Sequence, residues 1–215
     1  MKTLILTGGK LTDSFLLPFL EKEFFDYIIV VDGALQIAHK IGLSFHALVG
    51  DFDTVSTKIK ELYQGLDTIY FEQHSPRKNE TDTQLALDIA LLKGATHITI
   101  LGGTGGRLDH FFGNIHVLKR ALDKDISCVL IDEQNRIQLI KNSFTISKEN
   151  QYGTYVSLIP FTEKVTGITL TGFAYPLHNA TISNGETIGI SNEIEEEYGH
   201  ITIEEGILIC IESHD

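Results

Sequence analysis

Short apolar runs rich in β-branched residues recur through the first part of the chain, at 3–6, 27–31, 47–49, 68–71, 97–101 and 127–131. They predict buried strands. Between them the spacing turns helical. Leu85, Ala86, Ile89, Ala90 and Leu92 predict an apolar stripe stopped by Gly94. The segment 108–122 repeats the pattern through Phe111, Phe112, Ile115, Val117, Leu118 and Leu122. Strands alternating with helices predict βαβ units, and so a Rossmann-like, mainly parallel sheet with helices on both faces. After about residue 132 the helical spacing stops. Strand-like runs at 136–141, 144–147, 154–159, 166–171, 187–190 and 200–211 are separated by Gly, Asn and Pro turns, which predicts an antiparallel β-sandwich. The expected organisation is an α/β domain over 1–135 and a β-sandwich domain over 136–215, within a transition spanning 132–143.

The length of 215 residues accommodates both domains, and a hydrophobic fraction of 42% supplies their cores and excludes intrinsic disorder. Seventeen Lys and Arg against 29 Asp and Glu leave a net charge of −12. That sign excludes a general nucleic-acid binder, which needs a basic surface. No apolar run approaches the ~20 residues of a membrane span. The N-terminal apolar stretch is too short for a signal peptide and reads as the first strand. Cys128 and Cys210 each stand alone in apolar surroundings without metal-ligand spacing. Buried free thiols in a reducing, cytoplasmic compartment are expected. The charge is unevenly spread. Residues 1–132 hold 13 basic and 17 acidic side chains, a net of −4, whereas residues 133–215 hold 4 and 12, a net of −8.

In open α/β sheets ligands bind beyond the carboxyl ends of the strands, so the residues following each strand are the place to look. The first run ends in Thr7-Gly8-Gly9, the second in Asp32-Gly33-Ala34 and the third in Gly50-Asp51-Phe52-Asp53. The fifth ends in a glycine-rich loop from Gly102 to Gly106, followed by Arg107-Leu108-Asp109-His110. Glycines let backbone approach a ligand and aspartates supply hard oxygen donors, a combination that suits phosphate with Mg²⁺. Asp51 and Asp53, if extended, point the same way and converge on one cation. The same triplet also fits a turn with helix-start aspartates, or the metal site of a nucleotide-sugar glycosyltransferase. Thr81 is a candidate helix cap, and Asp82 shares a face with Leu85, Ala86 and Ile89, which turns this third acid inward. Arg77 and Lys78 precede it as cations for phosphate oxygens. The glycine loop is neither a dinucleotide fingerprint nor a Walker A loop. Instead Arg107 opens the following helix, where a guanidinium can hold phosphate in two places.

In this order the residues resemble the thiamine pyrophosphokinase family, bacterial type. The matching blocks are Asp32-Gly33, Gly50-Asp51-Phe52-Asp53, Lys78 with Thr81-Asp82, and Gly105-Gly106-Arg107-Leu108-Asp109-His110 with Asn114. Tyr175-Pro176-Leu177 and Ser191-Asn192-Glu193 follow. The resemblance implies an α/β domain that binds ATP and Mg²⁺, and a β-sandwich domain that binds thiamine. It further implies transfer of a pyrophosphoryl group from ATP to the thiamine hydroxyl, releasing AMP, by a homodimer whose thiamine sites involve the β-domain and the partner subunit. Carried over by position, Asp51, Asp53 and Asp82 are the metal ligands, and they are catalytic together with Arg107 and Asp109. Asp32, Lys78, Thr81, Gly105, Gly106, His110 and Asn114 fall to the nucleotide, and Ser191 and Asn192 to thiamine. Ala34 stands where a second glycine is common, and with no Trp in the chain any aromatic stacking on thiamine falls to Phe or Tyr. A non-catalytic nucleotide or thiamine sensor on the same scaffold is the rival reading.

Overall fold

The computed structural model describes residues 1–52, 55–73 and 80–215. The chain divides into two compact units, Met1–Asp132 and Glu133–Asp215. The first contains β1 (Lys2–Leu6), α1 (Asp13–Lys22), β2 (Tyr27–Val31), α2 (Ala34–Lys40), β3 (Ala47–Gly50), α3 (Thr57–Tyr63) and β4 (Tyr70–Gln73). It continues with α4 (Asp82–Leu92), β5 (His97–Leu101), α5 (Leu108–Val117), α6 (Lys119–Leu122) and β6 (Ser127–Ile131). Its strands lie in the order β6-β5-β1-β2-β3-β4, and every pairing is parallel. The chain runs outward from β1 through β4, then returns to the other side of β1 with β5. That reversal makes the gap between β1 and β5 the switch point of the sheet. Leu4, Ile5, Leu6, Ile29, Val30, Leu48, Ile100 and Leu101 are fully buried, as strands covered on both faces require.

The helices follow local chemistry, with two departures from the sequence pattern. Thr81 caps α4, its side chain accepting from the Gln84 amide at 3.2 Å. At the other end Gly94 (φ +83°) closes a Schellman turn, with Ala95 N donating to Ala90 O and Gly94 N to Leu91 O. The buried face of α4 is Thr83, Ala86, Leu87, Ile89 and Ala90. Leu92, expected on that stripe, is 87% exposed because at 100° per residue it lies opposite the face formed by Thr83, Ala86, Leu87 and Ala90. The expected helix over 108–122 is interrupted at Leu118, and Leu108 and Phe112 face outward.

The second unit is all-β apart from one short 3₁₀ turn. It holds β7 (Asn135–Ile140), β8 (Ser143–Ser147), β9 (Tyr155–Pro160), β10 (Lys164–Thr171), β11 (Leu177–Ser183), β12 (Asn192–Glu193), β13 (Tyr198–Thr202) and β14 (Leu208–Ser213). Two antiparallel sheets, β12-β9-β14-β7 and β11-β10-β13-β8, close over a shared core that includes Val156, Leu158, Ile168, Leu170, Ile182, Ile201, Leu208 and Cys210. This is the expected sandwich. The 200–211 run is two strands, parted by a turn with Gly206 at φ +101°. The run at 187–190 is not a strand. Gly189 O accepts from Leu158 N at 2.7 Å, while Ile188 and Ile190 stay exposed. A strand absent from the sequence pattern, β11, pairs instead with β10 in the other sheet. Glu212 is wholly buried, its carboxylate held by Arg136 Nε at 2.7 Å and the Tyr152 amide at 3.0 Å. Such an acid is tolerated inside because it is paired. Cys128 and Cys210 are buried free thiols, and burial raises Cys128 to about 12. Among the described residues no helix is long and apolar enough to cross a membrane.

Candidate active site

Beyond the carboxyl ends of β1, β2, β3 and β5 lies a cavity of about 780 Å³. Its floor is two loops locked together. Thr7 N donates to Leu101 O, Gly9 N to Gly102 O and Lys10 N to Thr104 O, all within 2.9–3.0 Å. The lock requires bare backbone. A Cβ on Gly9 would stand 2.2 Å from the carbonyl oxygens of Gly102 and Thr104. One on Gly102, itself at φ +74°, would stand 2.1 Å from Thr7 O. Two further bonds tie helices to this floor. Asn114 of α5 donates from Nδ2 to Gly103 O at 2.8 Å, and Thr83 of α4 meets the Thr7 hydroxyl at 3.2 Å.

Asp32, Asp51 and Asp82 all line the cavity. Asp82 is there because Thr81 starts α4 one residue earlier, where the helix dipole favours a carboxylate. Asp51 is there for a different reason than strand alternation. β3 ends at Gly50, and Phe52 has φ +61°, so the backbone at Phe52 is not extended. The Phe52 ring is buried and stacked on Phe71 at 5.2 Å between centroids, with Lys60 Nζ 5.4 Å above it. Its amide donates to Asp32 Oδ1 at 3.0 Å. Asp53, Arg77 and Lys78 lie outside the described residues. Among those described, no group of three or more His, Cys, Asp or Glu side chains is close enough to hold a metal ion.

The same cavity is lined by Lys10, Arg107 and His110, together with Thr104, Gly105 and Gly106. Asp109 does not line the cavity. Its carboxylate turns to Arg107, with Nη2–Oδ2 at 2.7 Å and Nε–Oδ1 at 3.2 Å, and accepts the His110 amide at 2.9 Å. The Arg107 hydrogen bond, then that amide, hold the Asp109 carboxyl at about 2, although both side chains of the pair are exposed. Lys10 escaped the sequence reading, which stopped at Thr7-Gly8-Gly9. A cation directly after a strand-end glycine pair was the available signal. In the second unit Ser191 (φ +55°) donates its amide to Ser157 Oγ at 3.0 Å. Asn192 is buried with its amide engaged. Oδ1 accepts from the Tyr175 amide at 3.0 Å and Nδ2 donates to Tyr175 O at 2.8 Å.

A parallel α/β unit with a cavity of carboxylates, glycine backbone and cations at its switch point, followed by an antiparallel sandwich, has the build of a kinase-class transferase. Residues 21–130 match the thiamin pyrophosphokinase catalytic domain, and residues 141–208 match the thiamin pyrophosphokinase vitamin B1 binding domain. The thiamine pyrophosphokinase of Bacillus subtilis (strain 168) is 40% identical over 167 residues, which span 77% of each chain. A crystal structure of thiamine pyrophosphokinase from Bacillus subtilis superposes over 100% of both chains with a TM-score of 0.87 and 35% identity. That of Geobacillus thermodenitrificans covers 100% of this chain and 98% of its own, with a TM-score of 0.86 and 34% identity. The chain belongs to the thiamin pyrophosphokinase family.

Proposed function

We propose that the cavity of the first unit binds ATP with Mg²⁺, that the β-sandwich binds thiamine, and that the protein transfers the pyrophosphoryl group to give thiamine diphosphate and AMP. The observation that carries the reading is the make-up of the cavity lining, which brings Asp51 and Asp82 together with Lys10, Arg107 and the glycine loop. A polyphosphate needs both, a metal bridge to its oxygens and fixed donors along its length. The donor set fits Mg²⁺, a hard cation usually held by one or two carboxylates with substrate phosphates and water completing its shell. Asp51 and Asp82, with Asp53, would hold it, and it would supply neutralisation of charge on the transferring group.

This chain's own residues do the positioning. Backbone amides of the glycine loop cradle phosphate, and Arg107 offsets charge that grows on the leaving side. The thiamine hydroxyl oxygen forms a bond to the β-phosphorus as the bond from that phosphorus to the α–β bridging oxygen breaks, and AMP leaves with that oxygen. The hydroxyl proton goes to a carboxylate oxygen of the cavity. Thr81, His110 and Asn114 shape the nucleotide's surroundings, while Ser191 and Asn192 serve thiamine. A cytoplasmic homodimer completes the proposal, and sedimentation would check the dimer.

Following AMP release from ATP with and without thiamine tests the reaction. AMP formed only when thiamine is present supports it. A melting shift with either ligand and no AMP would instead support a sensor. Asp51→Asn, Asp53→Asn and Asp82→Asn should each lower turnover by about 10²-fold or more with melting temperature unchanged. Near-normal turnover of all three at limiting Mg²⁺ would remove the metal assignment.

A further inference from the structure

Asp32 is bound to the chain on both sides of Asp51. Its amide donates to Val49 O at 2.8 Å and its Oδ1 accepts from Phe52 N at 3.0 Å. Only Gly50 and Asp51 lie between those two attachments. Gly50 lets the two strand ends approach closely, since a Cβ there would come to 3.0 Å from both Cα and Cβ of Asp32. Beyond the bracket the chain is fixed again, by the Phe52 ring packed on Phe71. Both Asp32 (φ +43°) and Phe52 (φ +61°) occupy the left-handed region. An aspartate visits that region readily, whereas a bulky aromatic is held there only by its surroundings.

We infer that Asp32 is a positioning residue, whose carboxylate holds the Phe52 amide and thereby aims Asp51 into the cavity. The effect on the reaction passes through the backbone of 50–52, and what Asp32 supplies is a hydrogen-bond acceptor at Oδ1. The inference rests on the pyrophosphoryl-transfer reading only for its kinetic consequence, because the bracket exists in the protein without ligand.

The acceptor and the charge separate by substitution. Asp32→Asn keeps an oxygen at the same place, loses the charge and tolerates a left-handed backbone. Asp32→Gly removes the acceptor without straining φ. Turnover of Asp32→Asn is expected to stay at least about fivefold above that of Asp32→Gly. That of Asp32→Gly should fall about 10–100-fold, with the KM for thiamine unchanged, as a misdirected group costs. Hydrogen exchange at the Phe52 amide supplies a readout that needs no activity. Protection should persist in Asp32→Asn and drop at least tenfold in Asp32→Gly, with global melting of the two alike. Loss of turnover in Asp32→Asn equal to that in Asp32→Gly would overturn the inference, because the charge itself would then be required. So would Phe52 amide protection unaltered in Asp32→Gly. A parent protein that released no AMP would count against the proposed reaction alone, while the exchange result would still decide the role of Asp32.

Discussion

Arg107 and Asp109 hold each other at the mouth of the cavity through a two-pronged ion pair on the surface. The pairing lowers the Asp109 carboxyl from its ordinary value to about 2. A depressed carboxyl contributes stability above its unfolded value and loses that contribution as the pH falls through the folded one. The pair therefore stays charged at every pH where an enzyme of this kind would work. Carboxyl-carbon NMR should give Asp109 a midpoint near 2, and Arg107→Ala should raise it toward the ordinary carboxylate range, with the His110 amide still holding it below. A parent midpoint near 4 would show that the pair does not persist in solution. At this scale the sequence exposes which acids stand at strand ends, because that follows from order along the chain. It does not expose how they are aimed. The extended reading of Asp51-Phe52-Asp53 fails at Phe52, whose left-handed backbone is imposed by Asp32, twenty residues earlier, and by Phe71, nineteen residues later.

Among the elements, the two glycine loops after β1 and β5 make the sharpest demand on side-chain size. Gly9→Ala places a methyl 2.2 Å from two carbonyl oxygens, so the loops must part. A loss of about 2–4 kcal/mol is expected, together with loss of most activity. Gly106→Ala is the control, since nothing lies within 4 Å of the added carbon. Its stability should stay within about 0.5 kcal/mol of the parent. Equal melting of the two variants in thermal denaturation would contradict the interlock. The parallel strands are legible in sequence because burial on both faces leaves unbroken apolar runs. β11 is not, since only Ile182 of its seven residues is buried and the pairing with β10 supplies the rest. The opposite error at 187–190 has the same origin. Its two isoleucines suggest a strand, but they sit on a turn that Gly189 fastens to β9.

Over the whole molecule, charge is the property that distinguishes the two units. The first carries a net of −4 and the second −8, almost all of it from glutamate. Thiamine bears a cationic ring, and on the proposed reading an acidic sandwich favours its approach through a field that salt screens. Raising ionic strength from about 0.05 M to 0.5 M should raise the KM for thiamine about two- to fivefold with kcat unchanged. A KM indifferent to salt would leave that charge to solubility alone. The interlocked glycine loops carry a different consequence, for the order in which the protein is made. Thr7 and Leu101 meet across roughly ninety residues, a closure that comes late for any chain. A ribosome that has released the chain only as far as β4 has delivered Asp32 and Asp51, while the glycine loop after β5 has yet to emerge. On the proposed reading, nucleotide can stabilise this unit only once β5 and α5 have emerged, so ligand cannot chaperone the first half of synthesis.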